Sequence, residues 1–258
     1  MSVNSYLQNL ASSLVLSDTE KTSIKTSIET LNRRLSYYSD SDDIVETFIF
    51  GSFTRGTILP RKYDNNSDID LMVVFNNTYD YTPQTFLNRL KKIVEVYYSS
   101  SEIYQSSPTM VLELNHIKFE LVPAYKAYSW STSYKIPLNS SCWQTTELKS
   151  DDDKLVQCNS ANNYIIKPVV RLIKLWNINA NNRKDKSFEI ERKIANASYW
   201  YCSSYTDYFK QALRAIRTLN NGTNVDKAIE GIDNALAYES KGCNILAENE
   251  VKNIFGWS

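Results

Sequence analysis

The chain has 258 residues, of which 29 are Lys or Arg and 29 are Asp or Glu, so its formal net charge is zero. This balance excludes the overall positive field of a non-specific nucleic-acid-binding protein, so any phosphate-binding charge must be local. Hydrophobic residues make up 42% of the chain, with 6 glycines and 6 prolines, which indicates a well-packed globular protein. The length predicts one bilobal domain or two small domains.

The chain contains four cysteines and a single histidine, His116. No two cysteines have CxxC spacing, which argues against a zinc site. Scattered cysteines in a chain of this size favour a reducing cytosol over a disulfide framework. No apolar run reaches membrane-spanning length and the N-terminus lacks a signal-peptide pattern, so we expect a cytoplasmic protein without membrane partners.

Two helices are predicted near the N-terminus. Apolar residues recur at helical spacing from Ser5 to Tyr38, and Ser17 or Asp18 interrupts them as the N-cap of the second helix. We expect this region to pack on the back of a sheet. The polar residues 39–43 are expected to form a turn, and Ile44 to Phe50 the first strand.

A glycine turn and an acidic strand follow. Gly51 and Ser52 come directly after the first strand, and a glycine there lets the backbone approach a ligand closely. The predicted strand from Asp68 to Phe75 carries Asp68 and Asp70 two residues apart, so both carboxylates point to one face. Such a like-charge pair is costly unless a cation neutralises it, and Mg²⁺ with nucleotide phosphates is the usual solution.

A helix is predicted to open at Thr82-Pro83, and a hairpin then follows. Its strands are Thr109 to Leu114 and Ile117 to Tyr125. On the second strand, Glu120 shares a face with Lys118 among residues that are otherwise apolar. Glu120 is therefore either a third carboxylate of the site or an edge charge that faces solvent.

The C-terminal half is predicted to be helical. The helix from Asn162 to Asn177 carries Arg171 and Lys174 on one basic stripe. This stripe is either a solvated face or a phosphate-binding face opposite the carboxylates. A further helix starts at Ser187 after Lys186, where a hydroxyl, free backbone N–H groups and a lysine would suit an anion.

Three motifs occur in order: Gly51-Ser52-x-x-Arg55-Gly56-Thr57, Asp68-Ile69-Asp70 and Phe119-Glu120-Leu121-Val122-Pro123-Ala124. Together they resemble the polymerase-beta-type nucleotidyltransferase superfamily. Within it, the resemblance is to the CD-NTase or SMODS group, the second-messenger synthases related to cyclic GMP-AMP synthase and oligoadenylate synthase. The helix around Lys174 and the segment from Lys186 to Glu191 resemble the helical half of the same family.

The resemblance implies an α+β, bilobal nucleotidyltransferase fold. A mixed β-sheet lobe with flanking helices would cover residues 1–160, with the N-terminal helix behind the sheet. A helical lobe, residues 161–258, would close the nucleotide cleft.

The resemblance also implies roles for individual residues. Asp68, Asp70 and Glu120 would be catalytic and would bind Mg²⁺ or Mn²⁺, although the family usually has aspartate where this chain has Glu120. Gly51 and Ser52 would contact the phosphates. The other residues that the resemblance assigns to nucleotide binding are Arg55, Arg171, Lys174, Lys186 and Ser187.

The implied function is Mg²⁺-dependent synthesis of a cyclic or short linear oligonucleotide second messenger from NTPs, ATP foremost, in bacterial antiphage defence. The product would act on a downstream effector. One alternative is nucleotide transfer to an RNA 3′ end or a protein, as in toxin-type nucleotidyltransferases. A second is a nucleotide-binding regulatory module with a decayed site. Nucleic acid is expected as a partner only as acceptor or activator.

Overall fold

A computed structural model describes residues 1–38, 44–77, 79–106, 108–126, 128, 133–146, 148–219 and 222–257, without the side chains of 148–151. The turn predicted at residues 39–43 lies outside the described residues. The helices and strands, in chain order, are α1 (Val3–Ser13), α2 (Asp18–Ser36), β1 (Ile44–Phe50), α3 (Gly51–Arg55), β2 (Asp68–Phe75), α4 (Pro83–Tyr97), β3 (Glu102–Ser106), β4 (Thr109–Glu113), β5 (Lys118–Ala124), β6 (Tyr134–Pro137), β7 (Trp143–Thr146), α5 (Leu148–Ala161), α6 (Ile166–Asn179), α7 (Ser187–Ala195), α8 (Tyr205–Ile216), α9 (Gly222–Ser240) and α10 (Asn244–Ile254).

The chain divides into two compact units, which we call the helical unit and the sheet unit. The helical unit contains Met1–Val15, Thr57–Asp64 and Asp151–Ser258, and the sheet unit contains Leu16–Gly56 and Asn65–Ser150. Each unit therefore draws on separate stretches of sequence, unlike the predicted lobes, which met at a single boundary after residue 160.

The helical unit is built around α6, which is buried on nearly every face, with Trp176 among its largest fully buried side chains. The N-terminal helix α1 packs against α6 and α8 in the same core, through its buried Leu7 and Leu10. We had expected this helix behind the sheet. Its apolar stripe is instead covered by other helices, which places α1 in the helical unit.

The second N-terminal helix, α2, starts where the sequence predicted. Ser17 is its N-cap, and the Ser17 hydroxyl accepts a hydrogen bond from the backbone N–H of Glu20. The Glu20 carboxylate accepts one in return from the backbone N–H of Ser17, which completes a capping box. This helix contacts β1 of the sheet unit.

In the described part of the sheet unit, five strands form one sheet in the order β1-β2-β5-β4-β3. β2 and β5 run parallel, and the other neighbouring strands are antiparallel. Helix α4 covers one face, where Phe86 stacks on Phe75 with ring centroids 4.4 Å apart. The mixed sheet with flanking helices confirms the predicted α+β class.

The opposite face of the sheet is divided along its length. Near the ends of β2 and β5, Met72 and Val122 form part of an apolar cluster against which Tyr134 and Ile136 of the β6–β7 hairpin pack. Near the starts of the same two strands, this face carries charged side chains instead. The site described below lies at that end.

Among the described helices, none combines the length and the apolar character that a bilayer span requires.

Candidate active site

Three carboxylates lie on one face of the sheet unit. Asp68 and Asp70 are half-buried on β2, while the alternating Ile69 and Leu71 are fully buried on the other face. β5 runs parallel to β2 with Glu120 level with Asp70, so the Glu120 side chain points to the same side. The strand alternation predicted from the sequence is confirmed, and the parallel pairing brings all three carboxylates together.

Lys118 lies within this cluster. Its Nζ is 3.3 Å from Asp68 Oδ2 and 3.6 Å from Glu120 Oε1. Burial opposes the charged form of Lys118, but attraction to both carboxylates outweighs burial and raises its pKa. Burial and the nearby Asp68 raise the pKa of Glu120, and Lys118 offsets part of that rise. The cluster therefore already holds one cation between two of its carboxylates.

The backbone of Gly51 lies against Asp70. Gly51 has a φ of +78°, a left-handed conformation that favours glycine, and a Cβ there would lie 1.9 Å from Asp70 Oδ2. The structure thus places a carboxylate of the site at this glycine, and the approach of a ligand to the Gly51 backbone stays a prediction. Gly51–Arg55 forms the short helix α3 rather than the tight turn that we expected, and this helix carries the half-buried Ser52 and Arg55.

The donor set suits a hard divalent cation. Carboxylate oxygens are the ligands that Mg²⁺ and Mn²⁺ prefer, and Lys118 already places a cation between Asp68 and Glu120. Within the described ranges, no three acidic, histidine or cysteine side chains already converge as a metal-ligand set. The residues fit a metal in their chemistry, and a metal on Asp68 and Glu120 would take the place that the Lys118 ammonium holds in the structure.

Lys174 of the helical unit forms a buried ion pair with Glu191, and the two side chains are 6% and 5% exposed. Glu191 Oε1 also accepts a hydrogen bond from Thr57 Oγ1 at 2.7 Å, and Lys174 Nζ donates to the Thr57 carbonyl oxygen at 3.2 Å. This network joins α6, α7 and the segment that begins at Thr57. The predicted basic stripe is therefore buried at this position and is not a solvated face.

The other nucleotide-binding candidates of the helical unit differ in exposure. Arg171 is buried on α6, and the loss of hydration lowers its pKa. Lys186 and Ser187 are exposed at the start of α7, where the sequence predicted a helix to begin. The exposed pair keeps a positive charge and a hydroxyl at the surface of the unit.

The sequence patterns assign no individual role to Lys118, Thr57 or Glu191. The alternation of β5 shows that Lys118 shares a face with Glu120, but it does not show that Asp68 lies beside them, because that depends on the parallel pairing. The pair of Glu191 with Lys174 joins two helices, and no local pattern in the sequence reports such a contact.

The fold of this chain is shared with a solved structure. The cyclic AMP-GMP synthase DncV of Vibrio cholerae, in complex with a linear intermediate, matches this chain with a TM-score of 0.75 at 11% identity. The match covers 96% of this chain and 93% of that one. At this identity the likeness shows the fold alone, which is the nucleotidyltransferase fold.

The family follows from the sequence. The model of the Second Messenger Oligonucleotide or Dinucleotide Synthetase domain, SMODS, matches residues 1–159. The chain belongs to the SMODS family and is a nucleotidyltransferase, which confirms the family that the motifs resembled.

Two relatives agree with this membership. A "probable cyclic nucleotide synthase" of Bacillus cereus strain VD146 is 29% identical over 234 residues, covering 74% of this chain and 68% of the relative. A cyclic AMP-AMP-AMP synthase of an Acinetobacter species is 24% identical over 227 residues, covering 84% of this chain and 65% of the relative. The chain thus spans about two thirds of the length of these relatives.

Proposed function

We propose that this chain uses Mg²⁺ or Mn²⁺ to join NTPs into a cyclic or short linear oligonucleotide that acts as a second messenger. The observation that carries the proposal is the placement of Asp68, Asp70 and Glu120 on one face of two parallel strands, beside Gly51. Membership of the SMODS family supports it, as do two relatives that are cyclic nucleotide synthases by name.

Asp68, Asp70 and Glu120 would hold the divalent ions. When bound, such ions lower the pKa of an attacking hydroxyl and neutralise charge on the phosphoryl group in transfer. Gly51 has no Cβ, so the Asp70 carboxylate can lie against the backbone at the start of α3. The Ser52 hydroxyl would donate a hydrogen bond to the phosphates, and Arg55, on the same short helix, would add positive charge.

In the helical unit, the exposed Lys186 and Ser187 are the proposed direct contacts to the triphosphate. The contact that the resemblance implies for Lys174 would require its buried pair with Glu191 to open. We therefore assign Lys174 a positioning role, in which it holds α6, α7 and Thr57 together. Arg171 is also buried on α6, so we assign it a structural role as well and not a direct contact to the triphosphate.

ATP is the proposed principal substrate, because one relative is a cyclic AMP-AMP-AMP synthase. A signal made from NTPs would be produced in the cytosol, where NTPs are present, and would act on a separate effector protein. Antiphage defence is the proposed biological setting, and it rests on the family resemblance.

The proposal is tested by incubating the purified chain with NTPs labelled at the α-phosphate, with Mg²⁺ or Mn²⁺, and then with phosphatase. We expect a labelled, phosphatase-resistant oligonucleotide that mass spectrometry can identify. Asp70→Asn should abolish it. Glu95→Gln, which changes an exposed carboxylate on α4, is the matched control and should leave the product in place.

Other outcomes would decide against the proposal. Label on added RNA or on a protein, with no small product, would indicate transfer to a macromolecule. NTP binding by calorimetry without any turnover would indicate a regulatory module. Equal product from the wild-type chain and Asp70→Asn would show that the carboxylate cluster is not the catalytic site.

A further inference from the structure

Lys118 occupies a distinctive position at the carboxylate cluster. It is paired in register with Asp68 across the parallel strands and lies two residues before Glu120, so all three side chains share one face. Its side chain is only 15% exposed, and its Nζ lies within 3.6 Å of both carboxylates. The ammonium is therefore held by the two acids and does not extend into water.

The oxygens that Lys118 contacts are Asp68 Oδ2 and Glu120 Oε1, which belong to the proposed metal-binding carboxylates. A divalent ion bound to the same two oxygens would lie within about 6 Å of the ammonium, where like charges still repel strongly at the effective dielectric of a protein surface. The two cations therefore compete for the same pair of acids. The flexible four-carbon stem of lysine allows the ammonium to leave without a change in the strand.

We infer that Lys118 is an internal counter-cation, which holds Asp68 and Glu120 while no divalent ion is bound and is displaced when one binds. Lys118 is then a positioning residue that sets the affinity of the site for divalent ions. This inference rests on the proposed function, because it takes the carboxylate cluster as the metal site.

The first test measures Mn²⁺ binding to the full chain without nucleotide, by the electron paramagnetic resonance signal of free Mn²⁺. We expect Lys118→Met to bind Mn²⁺ at least tenfold more tightly than the wild type, because the competing cation is gone. Lys118→Arg keeps the charge and should stay close to the wild type. Equal or weaker binding by Lys118→Met would overturn the inference.

The second test needs no variant, so it holds even if Lys118→Met fails to fold. The wild-type chain is treated briefly with an acetylating reagent, with and without Mn²⁺, and each lysine is followed by mass spectrometry. Displacement predicts a several-fold rise in Lys118 acetylation on adding Mn²⁺. Lys91 on the exposed face of α4 is the reference and should not change. Unchanged or reduced Lys118 acetylation would overturn the inference.

The two proposals fail in different ways. If the wild type forms product but neither Mn²⁺ test gives the expected change, the role of Lys118 is wrong and the proposed function stands. If the wild type binds no Mn²⁺ and forms no product, the metal site itself is wrong, and both proposals are overturned.

Discussion

Gly51→Ala tests whether the Asp70 carboxylate can keep its position only because residue 51 has no side chain. The new Cβ would lie 1.9 Å from Asp70 Oδ2 and 2.8 Å from Asp70 Cγ. Gly56 offers a matched control, because it has a φ of +69° against +78° for Gly51, yet a Cβ at Gly56 meets none of the described atoms within 4 Å. Alanine at either position suffers similar backbone strain, but alanine at position 51 also collides with the site.

The expected losses in stability and in activity can be worked out from these distances and backbone angles. Alanine in the left-handed conformation costs about 1–2 kcal/mol, and both variants should lose this amount from their free energy of unfolding. Ordinary van der Waals contact begins at 3.4 Å, so Asp70 Oδ2 must move by about 1.5 Å in Gly51→Ala. Because a misplacement of about 1 Å can cost about 100-fold in rate, we expect kcat/KM of Gly51→Ala to fall at least that far below Gly56→Ala.

The assay compares the two variants with the wild type. Urea denaturation gives the free energies of unfolding, and the initial rate of pyrophosphate release from NTPs gives kcat/KM. If Gly51→Ala and Gly56→Ala lose equal activity and equal stability, backbone strain alone explains the loss. The proposed contact between Gly51 and Asp70 would then have no catalytic importance.

Three further substitutions test Glu120, the buried pair of Glu191 with Lys174, and Asp207. Glu120→Gln removes a proposed metal ligand and should lower kcat/KM on the order of 100-fold, whereas Glu120→Asp should retain more activity, which steady-state rates will show. Glu191→Gln leaves Lys174 buried without its counter-charge and should lower the free energy of unfolding in urea by about 3 kcal/mol. Burial alone would raise the pKa of Asp207, but hydrogen bonds from residues 203–204 outweigh it and hold the pKa low. The stability advantage of the wild type over Asp207→Asn should therefore be complete above about pH 4 and disappear as the pH falls through the lower folded pKa.

Each of these has an outcome that would contradict it. Glu120→Gln with wild-type rates would remove Glu120 from the site. Glu191→Gln with an unchanged urea midpoint would mean that the buried pair contributes little. Asp207 lies in the first turn of α8 and forms a capping box with Ser204. A stability advantage over Asp207→Asn that stayed constant down to pH 2 would show that the charge of this carboxylate does not stabilise the start of α8.

The local features of the site could be predicted because they depend on short-range rules. A period of two along β2 places Asp68 and Asp70 on one face, and the structure confirms this. The positive φ of Gly51 agrees with its position directly after a strand, where only glycine accepts such close approach. The N-cap at Ser17 likewise follows from residues within one turn of helix.

The features that could not be predicted depend on contacts between distant residues. The basic stripe around Lys174 was expected on a helix surface, but α6 lies at the centre of the helical unit and is buried on nearly every face. Strand β3 is largely exposed at the sheet edge and helix α5 has a weak apolar pattern, so neither gave a periodic signal. The role of Lys118 depends on a parallel pairing that no local pattern specifies.

Asp68, Asp70 and Glu120 are proposed to form a metal site for nucleotide transfer. Anomalous scattering from Mn²⁺ in crystals grown with a non-hydrolysable ATP analogue tests it most directly. We expect Mn²⁺ within about 2.5 Å of oxygens from all three carboxylates, next to the nucleotide phosphates. A bound nucleotide with Mn²⁺ at other residues, or with none at these three, would contradict it.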